Sequence, residues 1–478
     1  MSLNRDDYDA VVVGAGPNGL AAAIELSRRF KSVLILEARE KIGGGARSAE
    51  VTLPDFIHDI CSAVHPLAVF SPFFQQLDLH RYGLRWIQPE IPLAHPFEDG
   101  TALSLHRSLE VTGDVLGSDG KAYKDLLTPL VENYEKLFSD ILAPLHFPRH
   151  PFLIGLFAMS ALHSVKNLVE RKFQSGRTRA FFSGLAAHAM IPLENIGTSA
   201  FGIVLATLAH TVGWPIIKGG SQKLADALAD HFRDNGGEIV TGKTISSFGD
   251  LPKANYYFFD VTPRQLLNIT GLGLSGNYRR RLGRFRYGPG VYKVDWALNR
   301  PIPWKAEICR KAGTVHLGNS LEEIDASIRH ANMGKIFCSP YVVVAQQSLF
   351  DPSRAPEGMH TAWAYCHAPH GSAEDVTDLI ENRIEQYAPG FREAILAKSR
   401  MSPKAMELYN PNYVGGDING GLQDLFQLYT RPVFSVSPYR TSQKNIYICS
   451  SSTPPGGGVH GLCGYYAARG VTKQKELF

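Results

Sequence analysis

Three glycines near the start of the chain have the spacing that phosphate-binding turns use. Gly14, Gly16 and Gly19 form a G-x-G-x-x-G pattern, which lies between an apolar run at residues 9–13 and a helix-like segment opened by Pro17. Glycines so placed permit a tight turn, the close approach of a pyrophosphate and close packing of the helix on the strand. The N–H groups and the positive dipole end of the helix favour an anion there. The pattern therefore predicts a pyrophosphate site.

An acidic residue follows at the interval expected for a dinucleotide site. Glu37 ends a second apolar run at residues 32–36, where a carboxylate can bind both ribose hydroxyls and repel a 2′-phosphate. A glycine-rich turn without a ligand is the alternative interpretation. That alternative accounts for neither the flanking strand and helix nor the acid, so the combination predicts a dinucleotide-binding site.

A second glycine cluster follows directly in the stretch "EKIGGGARSAE". Gly43, Gly44 and Gly45 precede Arg47, and a site for NAD does not need them. A longer cofactor such as FAD, whose pyrophosphate and ribityl chain continue along the protein, suits them better. The alternative is a flexible surface loop.

A third cluster lies near the end of the chain, in "ICSSSTPPGGGVHG". Gly456, Gly457 and Gly458 precede a stretch that is typical of a helix. Three consecutive glycines are costly to order, which suggests that a ligand must approach the bare backbone. A flavin ring lying against the start of this last helix meets that condition, because a helix N-terminus stabilises the negative charge of reduced flavin around N1 and O2.

The elements that must position these residues come from three separate parts of the chain. Apolar runs typical of strands lie at residues 9–13, 32–36, 238–240, 254–260 and 445–451. An amphipathic helix, with Leu224, Leu228 and Phe232 on one face, ends at Gly236 and Gly237. We therefore expect one α/β dinucleotide-binding domain that is discontinuous in sequence, with a second domain inserted into it.

The composition is that of an ordinary globular protein and excludes some classes of partner. The chain has 478 residues, of which 44% are hydrophobic and 20% charged, and a net charge of +4. This near balance, without a basic run or a base-stacking motif, argues against nucleic acid as a partner. The six cysteines are scattered without a zinc spacing, so we expect free thiols in a reducing compartment and no metal site.

The most apolar segment lies at residues 151–169, "PFLIGLFAMSALHSVKNLV". Its uninterrupted part is shorter than a bilayer requires, and His163 and Lys166 break it. The polar start of the chain has no signal-peptide pattern. We therefore expect a cytoplasmic protein in which this segment is a buried helix or a helix in peripheral contact with a membrane.

Six motifs together resemble the phytoene dehydrogenase-related branch of the FAD-dependent amine oxidase superfamily, which includes bacterial carotenoid desaturases and pyridine nucleotide-disulfide oxidoreductase domain-containing proteins. The likeness covers nearly the whole chain. It is carried by "VVVGAGPNGLAAA", "LEAREKIGGGARS", "GWPIIKGGSQKLADAL", "VYKVDWALNRPIPW", "NPNYVGGDINGG" and "STPPGGGVHGLCGYYAA".

The resemblance implies a Rossmann-like FAD-binding domain of the glutathione-reductase type, with FAD bound non-covalently, and an inserted α+β substrate domain with a mixed sheet and helices. The FAD-binding domain is expected at residues 1–70, 214–265 and 440–478. The substrate domain is expected at residues 71–213 and 266–439.

Carried over by position, Glu37 is expected to bind the adenosine ribose, the main chain at Ile245 to contact adenine, and Arg47 to lie near the pyrophosphate. The glycines of the third cluster and Val459 are expected at the flavin pyrimidine. The full set of expected cofactor-binding residues is Gly14, Ala15, Gly16, Pro17, Asn18, Gly19, Glu37, Ala38, Arg39, Gly43, Gly44, Arg47, Ile245, Gly457, Gly458 and Val459. The chain departs from many relatives at Gly45, where they have arginine, and it lacks a recognisable aromatic cage for an amine.

Two residues are candidates for a catalytic role. Lys293 precedes Trp304 as a lysine precedes the aromatic end of a similar motif in amine oxidases, where it reaches flavin N5 through a water. The alternative is a solvent-facing lysine on an alternating strand. His460 has the best claim among the histidines because it abuts the third glycine cluster, although capping of the last helix explains its position better. The other candidate histidines are His65, His188, His210, His367 and His370.

These observations predict an FAD-dependent oxidoreductase that transfers a hydride to flavin N5 from a small apolar molecule, carotenoid-like or another lipid. The apolar stretch at residues 181–214 suits either a tunnel wall for such a substrate or a helical core. The alternatives are a flavin oxidase of a polar, amine-type substrate and a non-catalytic regulatory protein that binds FAD. The electron acceptor could be oxygen, a quinone or another protein.

Overall fold

Two β-sheets form the framework of the protein in the computed structural model, which describes residues 7–472. The strands are β1 Asp7–Val13, β2 Val33–Leu36, β3 Ser48–Glu50, β4 Ile57–Asp59, β5 Trp86–Ile87, β6 Ile91–Pro96, β7 Ala102–Leu105, β8 Ile216–Ile217, β9 Glu238–Val240, β10 Lys253–Phe259, β11 Gly290–Leu298, β12 Ala312–Leu317, β13 Val342–Ala345, β14 His360–Ala368, β15 Ile395–Met401 and β16 Ile446–Ile448.

Helices cover the faces of both sheets. They are α1 Pro17–Ser27, α2 Pro66–Phe70, α3 Pro72–Gln75, α4 Leu109–Val115, α5 Gly120–Glu132, α6 Tyr134–Ile141, α7 Pro151–Ala161, α8 Val165–Lys172, α9 Gly176–Ala186, α10 Thr198–His210, α11 Gln222–Asp234, α12 Pro263–Asn268, α13 Gly276–Leu282, α14 Leu321–Asn332, α15 Thr377–Tyr387, α16 Pro403–Tyr409, α17 Leu425–Thr430 and α18 Leu462–Thr472.

The first sheet has five parallel strands in the order β16-β10-β1-β2-β9. A parallel sheet is covered on both faces, so its strands are apolar on both sides, and all four residues of β2 are buried. Helices α1, α11 and α18 pack on one face, and α12 and α13 on the other. This arrangement confirms the predicted Rossmann-like α/β fold assembled from distant parts of the chain.

Helices α1 and α18 approach each other backbone to backbone. A Cβ atom added to Gly464 of α18 would lie 1.8 Å from the carbonyl oxygen of Asn18 in α1, so no side chain fits there. The side-chain amide of Asn18 also donates to the hydroxyl of Ser451, 3.2 Å away, in the segment that follows β16. The starts of the two helices are thereby held close together.

The last helix does not begin directly after the third glycine cluster, as the sequence pattern suggests. Helix α18 starts at Leu462, because Gly461 adopts the left-handed backbone conformation with φ of 69°, which ends regular helix in either direction. Residues 459–461 therefore form a short connection between the glycines and the helix.

The second sheet is mixed and has seven strands in the order β15-β11-β14-β13-β12-β6-β7. Only the β12–β6 pair in it is parallel. Side chains alternate across β11, so Tyr292, Val294 and Trp296 join the core beneath α15, while Lys293 and Asp295 point to the opposite face. The strands come from residues 91–105 and 290–401, and the domain boundaries given above remain predictions.

The apolar segment at residues 151–169 forms parts of two helices rather than one. The axes of α7 and α8 are bent by 89° at the break between them. Within residues 7–472, no single helix is long and apolar enough to cross a membrane, and α7 with α8 reaches that length only as this bent pair.

A buried ion cluster centred on Arg354 links β4, which pairs with β3 in a separate two-stranded sheet, to the segment between β13 and β14. The guanidinium is fully buried and contacts Asp59 at 2.7 Å and Asp351 at 3.1 Å. Burial alone raises the pKa of Asp59, but Arg354 and the hydrogen bonds from Ser221 and Ser48 together lower it below its ordinary value. This stabilisation is therefore present above the ordinary carboxyl pKa and is lost as the pH falls below it.

We predict that Arg354→Met lowers the free energy of unfolding by about 3–5 kcal/mol, because it leaves two buried carboxylates without their cation. The midpoint of urea unfolding measures this change. Arg300→Met is the matched control, since Arg300 and its partner Glu393 are 44% and 80% exposed, and an exposed pair contributes less than about 1 kcal/mol. Equal midpoints for the two variants would contradict the prediction.

Candidate dinucleotide and substrate site

One cavity of about 620 Å³ lies between the two sheets, and glycine turns from both ends of the chain form part of its lining. Its lining includes Gly14 and Gly16 from the first turn and Gly458 and Val459 from the last. The expected cofactor residues that line it are Gly14, Gly16, Pro17, Asn18, Glu37, Ala38, Arg39, Gly44, Arg47, Ile245, Gly458 and Val459. The others, Ala15, Gly19, Gly43 and Gly457, support the turns from outside the lining.

The pyrophosphate end of the cavity has a surface of bare backbone. A Cβ atom on Gly44 would lie 3.0 Å from the Cα of Gly16, so the first and second glycine turns touch without side chains between them. Helix α1 begins there with Pro17 in its first turn, no side-chain cap and no acidic residue in that turn. The N–H of Gly19 in this turn donates to the carboxylate of Asp260 at 2.9 Å. The remaining bare backbone at the helix start suits an anion, so these residues fit a pyrophosphate.

Glu37 is buried and held in one orientation. One carboxylate oxygen accepts from the N–H of Ala15 at 2.8 Å, and the other accepts from the N–H of Arg39 at 3.0 Å and from Arg47 at 3.1 Å. Each carboxylate oxygen has two acceptor sites, so Glu37 retains one site, on the oxygen bound by Ala15, for a ribose hydroxyl. Arg47 pairs with Glu37 and lies 5.7 Å from the ring centroid of Tyr409.

Asp260 is a second acid in this part of the cavity, and sequence reasoning noted it only as the end of a strand. Its carboxylate accepts from the N–H of Gly19 at 2.9 Å. Burial and the nearby charge of Glu37 raise its pKa to about 7, although the N–H groups of Gly19 and Gly16 oppose this. The signal that could have found it is an acid directly after a strand of a parallel sheet, where ligands bind.

The departure at Gly45 has a structural explanation. A Cβ atom on residue 45 would lie 2.4 Å from the hydroxyl oxygen of Tyr413, which also lines the cavity. Tyr413 thus occupies the space into which a side chain at position 45 would extend. The pattern of neighbouring residues gave no sign of this long-range contact.

At the other helix start, His460 is buried outside the cavity lining. Its ring nitrogen Nδ1 accepts from the N–H of Leu462 at 3.0 Å, which caps α18. Burial lowers the pKa of His460 to about 4, so the ring is neutral near pH 7. This placement supports the capping role and gives no support to a catalytic one.

Lys293 is buried and lines the cavity, so the alternative of a solvent-facing lysine is wrong. Its ammonium lies 2.5 Å from a carboxylate oxygen of Asp295, whose other oxygen is 3.5 Å from His58. The ammonium is also 5.6 Å from the ring centroid of Trp363. Because side chains alternate along β11, Lys293 lies on the face of the second sheet that borders the cavity.

The far end of the cavity is formed by the second sheet, by α10 and by the turn that follows α9. Polar and aromatic side chains in this part of the lining are His188, Trp214, Thr314, His316, Trp363 and Tyr365. Of the candidate histidines, His188 lies here and His65 lies nearer the glycine turns, with Nε2 2.8 Å from the hydroxyl of Ser221. The remaining three, His210, His367 and His370, do not line the cavity. Sequence reasoning missed His316, which strand β12 places beside Thr314.

Comparisons with known proteins agree with this geometry. Residues 12–77 match the model of the NAD(P)-binding Rossmann-like domain family. The chain is 26% identical to mouse (Mus musculus) pyridine nucleotide-disulfide oxidoreductase domain-containing protein 2, over 98% of this chain and 94% of the relative. It is 25% identical to phytoene dehydrogenase of Streptomyces griseus, over 81% and 77% of the two chains.

Among solved structures, an oxidoreductase from Methanosarcina mazei matches with a TM-score of 0.64 and 15% identity, over 97% of this chain and 99% of the other. This match shows the shared fold. The predicted resemblance to the phytoene dehydrogenase-related proteins is confirmed by the sequence relatives. At the level of that group, the predictions of an oxidoreductase and of FAD as its cofactor are confirmed as well.

We predict that Asp260 makes the affinity for FAD depend on pH. Above a pKa of about 7 its carboxylate is charged and repels a pyrophosphate bound at the turn, so affinity falls as the pH rises, by at most about tenfold per pH unit. In Asp260→Asn this dependence is lost. Titration of the protein with FAD between about pH 6 and about pH 8 measures it, with the exposed Asp230→Asn as control. The same slope in wild type and Asp260→Asn would refute the prediction.

Proposed function

We propose that the protein is an FAD-dependent oxidoreductase that dehydrogenates a small hydrophobic molecule, carotenoid-like or another lipid. The observation that carries the proposal is the single cavity, which is lined by Glu37, by both glycine-bearing helix starts and by Lys293 of the second sheet. An elongated cofactor with nucleotide and ring ends suits such a lining better than a mononucleotide does.

The residues that would hold FAD are those already brought together. Glu37 would bind the ribose, the glycine turn at the start of α1 would bind the pyrophosphate, and the main chain near Ile245 would contact adenine. Gly458 and Val459 would face the flavin pyrimidine, because the connection to α18 presents bare backbone to the cavity. When bound, the flavin supplies a hydride acceptor at N5, and the protein needs only to orient the substrate and tune the ring.

The part of the cavity beyond the cofactor residues favours an apolar substrate. Its lining includes the aliphatic side chains of Leu205, Val291, Val343, Met406 and Ile418. Burial of an apolar chain contributes about 0.8 kcal/mol per CH₂ group. The sequence relationship to a phytoene dehydrogenase supports the same class of substrate.

Lys293 is assigned a role at flavin N5, through a water, and its ion pair with Asp295 holds the ammonium in place. The electron acceptor could be oxygen, a quinone or another protein. A lysine at N5 matters most when reduced flavin reacts with oxygen.

We predict that Lys293→Met slows reoxidation of the reduced flavin by oxygen about tenfold or more, because the positive charge beside the reacting atoms is lost. The protein is loaded with FAD, photoreduced without oxygen and mixed with aerated buffer while flavin absorbance is followed. The exposed Lys311→Met is the control. Unchanged reoxidation in Lys293→Met removes the assigned role.

The same preparation tests the whole proposal. A protein that takes up no FAD overturns it, and peroxide formation from amines rather than reduction by hydrophobic compounds favours the amine oxidase alternative. A flavin that no acceptor can reoxidise favours the non-catalytic binding protein.

The protein also presents a surface suited to a membrane that carries anionic lipids. We name as the apolar patch the exposed residues Phe147, Phe152, Met159, Leu162, Ile196 and Phe426. The side chain of Leu425 lies 3.5 Å from the point where a Cβ on Gly197 would stand, so the segments that carry Ile196 and Phe426 are neighbours. Phe152 and Met159 are 94% and 65% exposed.

The charge around the apolar patch complements such a membrane. Between residues 145 and 172 the cations are Arg149, Lys166, Arg171 and Lys172, and Glu170 is the one acid. The acids next to the rest of the patch, Glu194 and Asp424, are paired with Arg329 and Arg286. Helix α7 packs on α10, and Leu205 of α10 lines the cavity. The patch therefore lies over the wall of the substrate end, where a lipid-soluble substrate could enter from the bilayer.

We predict that the double variant Phe152→Ser/Met159→Ser binds vesicles of phosphatidylcholine and phosphatidylglycerol about tenfold more weakly or worse than wild type, since two apolar side chains no longer enter the lipid. Co-sedimentation with the vesicles measures binding. Leu396→Ser, in which an exposed residue of β15 is changed, is the control and should bind like wild type. Binding that is equal for all three proteins, or absent in wild type, would contradict the membrane contact.

A further inference from the structure

The substrate end of the cavity contains a chain of three polar rings. The hydroxyl oxygen of Tyr365 lies 3.3 Å from Nδ1 of His188, and Nε2 of His188 lies 3.3 Å from Nε2 of His316. The three residues come from β14, from the turn after α9 and from β12, and all three line the cavity. Tyr365 and His188 are only partly buried by protein, so both present surface to the cavity.

We infer that the substrate is an uncharged hydrophobic molecule with a carbonyl or hydroxyl oxygen, and that this oxygen accepts a hydrogen bond from Tyr365. This inference rests on the proposed function. The site assigned to that oxygen is the hydroxyl of Tyr365, positioned by His188 and His316.

The direction of these hydrogen bonds follows from His316, the last of the three rings. Nδ1 of His316 is buried and has no hydrogen-bond partner within residues 7–472, and buried N–H groups are rarely left without an acceptor. We therefore place the hydrogen of His316 on Nε2, from which it is donated to His188. Each neutral imidazole has one donor and one acceptor nitrogen, so His188 donates from Nδ1 to Tyr365. The hydroxyl hydrogen of Tyr365 is then free for an acceptor in the cavity.

The charges around this chain exclude an ionic substrate group. Burial lowers the pKa of His188 to about 4 and that of His316 well below its ordinary value, with His188 and His95 adding to the shift of His316. Both rings are therefore neutral near pH 7. The one ammonium in this part of the lining, on Lys293, is paired with Asp295.

Among residues 7–472, no unpaired carboxylate lines this end of the cavity for an amine, because Asp295 lies outside the lining and is paired with Lys293. The acids in the cavity lining are Glu37 and Asp260, and both lie at the dinucleotide end. Burial of a charged group without a partner is costly. A neutral oxygen, by contrast, needs only the donor that Tyr365 offers.

The test uses the FAD-loaded protein and three ligands with ten-carbon chains: decane, 2-decanone and decylamine. Each is titrated while the flavin spectrum is recorded. We expect 2-decanone to bind about three- to tenfold more tightly than decane, which corresponds to one hydrogen bond. Decylamine should bind more weakly than 2-decanone. With FAD saturating, the preference for 2-decanone should stay constant between about pH 6 and about pH 8, because neither histidine titrates there.

Tyr365→Phe should abolish the preference for 2-decanone over decane and leave the FAD content unchanged, whereas Tyr429→Phe, at an exposed residue of α17, should keep it. Equal binding of decane and 2-decanone to wild type, or tighter binding of decylamine, overturns the inference while the proposed function stands. Failure to load FAD instead overturns the proposed function. The wild-type ligand series is decisive even if Tyr365→Phe does not fold.

Discussion

The backbone contact between α1 and α18 is the constraint on which the rest of the site depends. With Gly464 against the carbonyl of Asn18 and the amide of Asn18 bonded to Ser451, the starts of the two helices are held next to each other. The strands that lead into them, β1 and β16, are separated only by β10. The carboxyl end of β10 therefore falls between the two helix starts, and this places Asp260 beside the glycine turn. One packing contact thus sets the relative position of both cofactor-binding backbones and of the acid between them.

The cavity joins two environments of opposite electrostatic character. At the dinucleotide end, Glu37 and Asp260 face backbone N–H groups and arginines, so binding there depends on charge. At the substrate end, His188 and His316 are neutral because they are buried, and the charge of Lys293 is balanced by Asp295. Such a division suits a charged cofactor that reacts with an uncharged molecule. The desolvation free energy of each ligand is smallest in the part of the cavity that matches its charge.

Local sequence patterns predicted the parts of the site that one strand–turn–helix unit contains. The first glycine turn, Pro17 at the helix start and Glu37 all occur within such a unit, so spacing alone locates them. The contacts of Tyr413 with position 45 and of Tyr365 with His188 join residues more than 170 positions apart. These contacts depend on how distant segments of the chain pack against one another, which no local pattern encodes. The sequence pattern also suggests a last helix that begins directly after Gly458. Helix α18 begins only at Leu462, because Gly461 has a left-handed backbone conformation.

The close approach of Tyr413 to Gly45 makes the two positions mutually dependent. An arginine introduced at position 45 alone would meet the phenol oxygen at 2.4 Å from its first side-chain carbon, and loss of the phenol alone would leave a hole in the wall. Each single replacement is therefore harmful in a different way, while the paired exchange restores a filled wall and adds a cation next to the pyrophosphate. The wall of the cavity at this point is therefore set by two residues jointly, and a replacement at position 45 has to be designed together with one at position 413.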